Sequence, residues 1–140
     1  MTQSLLAPVR DFVDAARGHF AAGFEGAELW SHIEVELHPL LADETLRAHA
    51  ADWPDTSDGN FKPGNLLFYE DPDYGFVLNA LVKVPDAVTH IHDHGPSWTL
   101  YGVIEGGERI GRYRRTDGKA AGENPSDYDC CSTVSELGTR

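Results

Sequence analysis

Three of the seven histidines stand within five residues, in the run Thr89-His90-Ile91-His92-Asp93-His94-Gly95. On an extended chain residues i and i+2 point the same way. His90, His92 and His94 can therefore share one face, or two of them can if the chain bends at Gly95. Two neutral imidazoles on one face chelate a metal ion, and imidazole suits iron, zinc, nickel and copper. The far side of such an ion stays open to a further ligand, water or substrate, so the spacing allows catalysis as well as binding. Asp93 lies between the two later histidines and is expected to point away from them, toward backbone or a neighbouring imidazole.

Other residues compete for attention. Trp98 and Tyr101 can wall a pocket beside the ion and are the candidate catalytic residues, although aromatic side chains on a strand more often fill a core. Glu105 is a possible carboxylate ligand, which would give the mixed His/carboxylate set that non-heme iron uses. Arg109, Arg112, Arg114 and Arg115 read as a solvated edge strand, with Arg112 or Arg114 able to face inward toward an anionic substrate. His19, His32, His38 and His49 all precede the β-rich part and read as surface or helix-end histidines. Cys130 and Cys131 are adjacent. Neighbouring α-carbons stand about 3.8 Å apart, closer than disulfide geometry prefers, and two thiolates cannot complete a four-thiolate site.

The pattern His92-Asp93-His94, followed by Trp98, Tyr101 and, twelve residues after His94, Gly106, resembles the first metal motif of the cupins. Within them it is most similar to the thiol dioxygenase branch and the related metal-dependent double-stranded β-helix proteins. The resemblance covers roughly residues 60–115. It implies a jelly-roll barrel that holds Fe(II) by three neutral histidines, with dioxygen and a small thiol at the open positions; Zn, Ni, Mn or Cu are alternatives to iron. His92 and His94 match the motif. His90 lies one step outside it, as a neighbour or weaker ligand, and a register using His90 and His92 stays open.

The chain also departs from that family. No histidine follows His94, and the sequence reaches Glu136-Leu-Gly-Thr-Arg140 where the second metal motif should begin. The stretch Phe61-Lys62-Pro63-Gly64-Asn65-Leu66 lacks the arginine that clamps a substrate carboxylate, and Lys62 offers a point charge without the bidentate fork. Thr99 occupies the position of the family's crosslinking cysteine. The expected function is a metal-dependent cupin, a mononuclear non-heme Fe(II) dioxygenase acting on a small molecule with thiols among the candidates. The rival expectations are a metal- or ligand-binding cupin without turnover, and an inactive, truncated half-barrel that dimerises through an exposed sheet edge.

The elements that must position these residues fall into two textures. Leu5, Val9, Phe12, Val13, Ala16 and Phe20 recur at helical spacing and predict an amphipathic helix over 4–21, with Ser4 as a cap and Pro8 in the first turn. Leu37, Leu40, Leu41, Leu46 and Trp53 mark a second helical region, in which Asp43 is an N-cap for 44–52. From residue 55 turn formers recur every 8–12 residues. Strands are predicted at 66–70, 76–84, 98–104 and 108–115, the last two paired antiparallel through Glu105-Gly106-Gly107, with a weaker candidate at 128–134. The turn Asp71-Pro-Asp-Tyr-Gly75 separates the first two strands. The expected fold is mainly β, a cupin-type jelly roll incomplete at the C-terminus, with a helical prelude over 1–55 packing on a β-domain over 56–140.

Composition bounds the partners. The formal net charge is −12, from 23 acidic and 11 basic residues, which argues against nucleic acid or an anionic membrane, since both reward clustered Lys and Arg. There is no apolar run near the ~20 residues a membrane span needs. The start MTQSLLAPVRDFVDAARGHF carries Arg and Asp where a secretory signal would be apolar, so a cytoplasmic location is expected. With 140 residues, 41% of them hydrophobic, the chain suits one core and one site.

Overall fold

The computed structural model describes residues 5–54, 65–86, 88, 89, 91, 92, 94, 96–111, 114, 115, 128, 129 and 135–137. It divides into two compact units, Met1–Thr89 and His90–Arg140. The first contains helices α1 (Ala7–Ala21), α2 (Gly26–Ala42) and α3 (Glu44–Ala50) and the strands β1 (Asn65–Glu70) and β2 (Val77–Leu81). The second contains β3 (Glu108–Ile110), β4 (Arg114–Arg115), β5 (Tyr128–Asp129) and β6 (Ser135–Leu137).

α1 forms where the apolar stripe predicts it, and buries Val9, Phe12, Val13 and Ala16. Its cap is Leu6, without a side-chain hydrogen bond, and Ser4 lies outside the described residues. Gly23 takes φ +82° just beyond the helix end, a left-handed conformation that costs glycine nothing and other residues a steric clash. α2 starts well before the Leu37 cluster and buries Leu29, Ile33 and Leu40. It continues through Pro39. The hydrogen bond that proline deletes belongs to the carbonyl of Val35, a residue 65% exposed, so water can take over that acceptor. Asp43 then caps α3 as expected, its carboxylate accepting the Leu46 N–H at 2.8 Å, and Leu46 closes the helical core.

β1 and β2 pair antiparallel from Asn65↔Leu81 to Glu70↔Val77, with a register shift between Leu67 and Tyr69. The turn that joins them is the predicted one: the Asp71 N–H donates to the Phe76 carbonyl at 2.9 Å and the Gly75 N–H to the Asp71 carbonyl at 3.1 Å. Gly75 sits at φ +70°, as the tight reversal requires.

The jelly roll is not the architecture. Among the described residues the helices are 15, 17 and 7 residues long, against strands of 6, 5, 3, 2, 2 and 3. The chain is therefore not mainly β. Among the described residues the strands also pair two at a time, as β1–β2, β3–β6 and β4–β5, whereas a jelly roll needs eight strands in two sheets. The predicted hairpin between 98–104 and 108–115 does not form. Residues 98–104 are not a strand, and β3 pairs with β6 instead. Gly102 stands in the middle of 98–104, a residue type that weakens a strand interior. β5 falls inside the weak candidate at 128–134, whose remainder, with Cys130 and Cys131, lies outside the described residues.

Candidate metal centre

His92 and His94 lie on an irregular segment that leads into a turn. The Ser97 N–H donates to the His94 carbonyl at 3.2 Å, closing a four-residue reversal across Pro96. That reversal returns the chain toward the histidines, and the Tyr101 hydroxyl stands 2.9 Å from Nε2 of His94, with ring centroids 5.9 Å apart. The two imidazoles themselves meet edge-on, centroids 5.2 Å apart and planes at 77°. His90, Asp93 and Gly95 lie outside the described residues.

The spacing of the two rings can be compared with the geometry of coordination. A metal about 2.1 Å from a ring nitrogen sits about 3.2 Å from the ring centre, so two rings bound at ligand angles of about 90–110° stand about 4.5–5.2 Å apart. The observed pair falls at the upper end of that range. The Tyr101 contact admits two assignments for the nitrogens of His94, since either partner can be the donor. If Nε2–H donates to the phenolic oxygen, Nδ1 is left as the bare, metal-competent nitrogen, held in orientation by the tyrosine. Burial, and then the negative charge of Glu108, raises the Tyr101 pKa above its ordinary 10. The hydroxyl is accordingly neutral at pH 7.

Trp98 and Tyr101, the predicted pocket walls, are 55% and 50% exposed. Neither fills a core, because the strand that would have buried them is absent. Among the described residues no group of three His, Cys, Asp or Glu side chains is arranged to hold a metal ion. Glu105 is exposed and belongs to no such group. Two of the histidines read as surface residues are engaged in the helical unit. His19 Nε2 lies 3.1 Å from Glu36 Oε1 and its ring stacks on His32 at 5.0 Å.

Sequence reasoning missed the charged residue that is buried among those described. Asp71 is buried at 2% exposure. One carboxylate oxygen accepts from the Arg17 guanidinium and from the Tyr69 hydroxyl at 2.8 Å, the other from the backbone N–H groups of Asp73 at 2.9 Å and Tyr74 at 2.7 Å. Burial alone would raise the pKa of Asp71, but the Tyr74 N–H, the Tyr69 hydroxyl, the Asp73 N–H and Arg17 together bring it down to about 2. Arg17 also reaches Asp73 at 2.5 Å and lies over the Tyr74 ring at 5.3 Å. Phe20 stacks on Tyr74 and Phe76 beside it, at 4.9 and 5.4 Å. This cluster joins α1 to the β1–β2 turn and is structural. The turn signature at 71–75 marked the place, and nothing local marked the partner.

Comparison with protein families, with curated proteins and with solved structures found no match. The likeness to thiol dioxygenases therefore rests on His92, His94, Trp98, Tyr101 and Gly106 alone. No helix among the described residues is long and apolar enough to cross a membrane.

Proposed function

We propose that this chain binds one transition-metal ion through His92 and His94, that the ion is Fe(II), and that the bound state oxidises a small molecule with dioxygen. The observation that supports the reading is the imidazole pair at 5.2 Å with Tyr101 fixed 2.9 Å from His94. Iron held there supplies open coordination positions and redox chemistry. His92 and His94 hold the ion, and Tyr101 orients His94. His90, two residues before His92 in the sequence, is the nearest further imidazole along the chain.

A second reading, metal binding without turnover, is favoured by the exposure of Trp98 and Tyr101. Oxygen-activating sites depend on a water-excluded surround, and these two aromatic rings stand half in solvent.

The test is the metal content and Fe(II) affinity of anaerobically purified protein beside a His92→Ala/His94→Ala double variant. Stoichiometric iron that is lost in the variant supports the site. Dioxygen uptake over a panel of small thiols then separates turnover from binding alone. Equal, poor binding by both forms overturns both readings.

A further inference from the structure

In the N-terminal unit, Leu5, Leu6, Val9, Leu46, His49, Trp53, Leu67 and Phe68 line a cavity of about 360 Å³, within the size range of small-molecule sites. Its construction is specific in two respects. Leu67 and Phe68 are consecutive on β1, and consecutive strand residues ordinarily point to opposite faces. Here both line the same cavity, because the register slips between Leu67 and Tyr69 and leaves Phe68 without a Cα partner on β2. Bulges re-aim side chains in this way and recur beside binding sites. Leu67 is 61% exposed and available to whatever enters.

The second respect is a polar handle. The indole Nε1–H of Trp53 donates to Nδ1 of His49 at 3.3 Å, while the Trp53 ring packs on Phe68 at 5.1 Å. With Nδ1 occupied as an acceptor, the neutral imidazole carries its proton on Nε2 and offers it as a donor. No other lining residue has a polar side chain, and none is charged. An anion would enter a wall without a cation on a chain of net charge −12, and a cation would find no carboxylate there.

We propose that this cavity is a binding site for a neutral, largely apolar small molecule with one hydrogen-bond acceptor, such as a ketone, ester or ether, whose apolar body lies against Leu67 and Phe68 and whose acceptor meets Nε2–H of His49. The site uses only residues before Thr89 and does not depend on the metal-binding reading.

Prodan, an uncharged naphthyl ketone whose emission shifts to the blue in apolar surroundings, is a suitable probe with the full-length chain. Saturable binding at one probe per chain is expected. Leu67→Trp, which fills the cavity from an exposed position, should weaken binding at least tenfold, while Val77→Trp, exposed on β2 and outside the lining, should leave it unchanged. His49→Phe keeps an aromatic ring and removes both the Nε2–H donor and the acceptor of the Trp53 indole N–H. It should weaken prodan about fivefold to tenfold without altering the affinity of 2-(dimethylamino)naphthalene, which lacks the ketone. Should Leu67→Trp lose its far-UV circular dichroism, the His49→Phe comparison decides alone. Unsaturable binding, equal loss in Val77→Trp, or equal loss of both probes in His49→Phe would overturn the proposal.

Discussion

The guanidinium of Arg17, on α1, closes on the buried carboxylate of Asp71 at the head of the β1–β2 turn, 54 residues further along the chain. The same guanidinium reaches Asp73 with its second terminal nitrogen, so one side chain fastens a helix to both acids of a turn. Charge-assisted hydrogen bonds of this fork-shaped kind are the strong ones, and a buried carboxylate keeps its charge only when fully partnered.

A sign follows for the pH dependence of stability. The folded-state pKa of Asp71, about 2, lies below its ordinary 3.8. The ionised carboxylate therefore favours the folded state in full above about pH 4, and the contribution is lost as the pH falls toward 2. Asp71→Asn should lower the urea midpoint at pH 7, and its deficit against the wild type should shrink between pH 4 and pH 2. Equal deficits at pH 7 and pH 2 would contradict this account.

Arg17→Lys tests the fork rather than the charge. Lysine keeps one positive charge but cannot bond Asp71 and Asp73 from two planar nitrogens. The variant should lose thermal stability at pH 7, and Arg17→Lys combined with Asp73→Ala should cost less than the sum of the two single changes, because both remove the same bond. Simple additivity in a double-mutant cycle would show that Asp73 is not coupled to Arg17.

The cap of α3 makes a local prediction. Asp43→Ala removes the acceptor of the Leu46 N–H and should cost about 1 kcal/mol in denaturant unfolding, with Asp43→Ser recovering most of it. Ile33, 4% exposed on α2, gives the contrasting core case. Ile33→Ala should cost about 2–5 kcal/mol by the same measurement, through lost burial and the cavity left behind.

Tyr101→Phe addresses the candidate metal centre without touching a ligand. It removes the hydroxyl 2.9 Å from Nε2 of His94, and groups that orient a ligating histidine are worth about tenfold to a hundredfold in metal affinity. Titration with Fe(II) or Zn(II) should show that loss. The far-UV circular dichroism should be unaffected, since Tyr101 lies outside helix and strand. An unchanged affinity would remove Tyr101 from the site.

What the sequence alone determined was local. The stripe from Val9 to Phe20, Asp43 before α3, the run 66–70 and the turn 71–75 each carry their cause within a few residues, as periodicity, a capping oxygen or a glycine at the reversal. The His-x-His spacing is local as well, although the segment that carries His92 and His94 is irregular rather than extended, and their rings stand 5.2 Å apart there. Tertiary structure decided what depends on partners far away. β3 pairs with β6 rather than with its neighbour, because strand pairing is settled by which edges meet, and the Gly- and Pro-containing segment after His94 does not supply one. α2 runs through Pro39, one turn after the exposed Val35, where a local rule would have ended it. Arg17 finds Asp71, and a slip of one residue at Phe68 opens a cavity wall, because burial rewards a polar group only when distant elements bring it the partners that no short stretch of sequence contains.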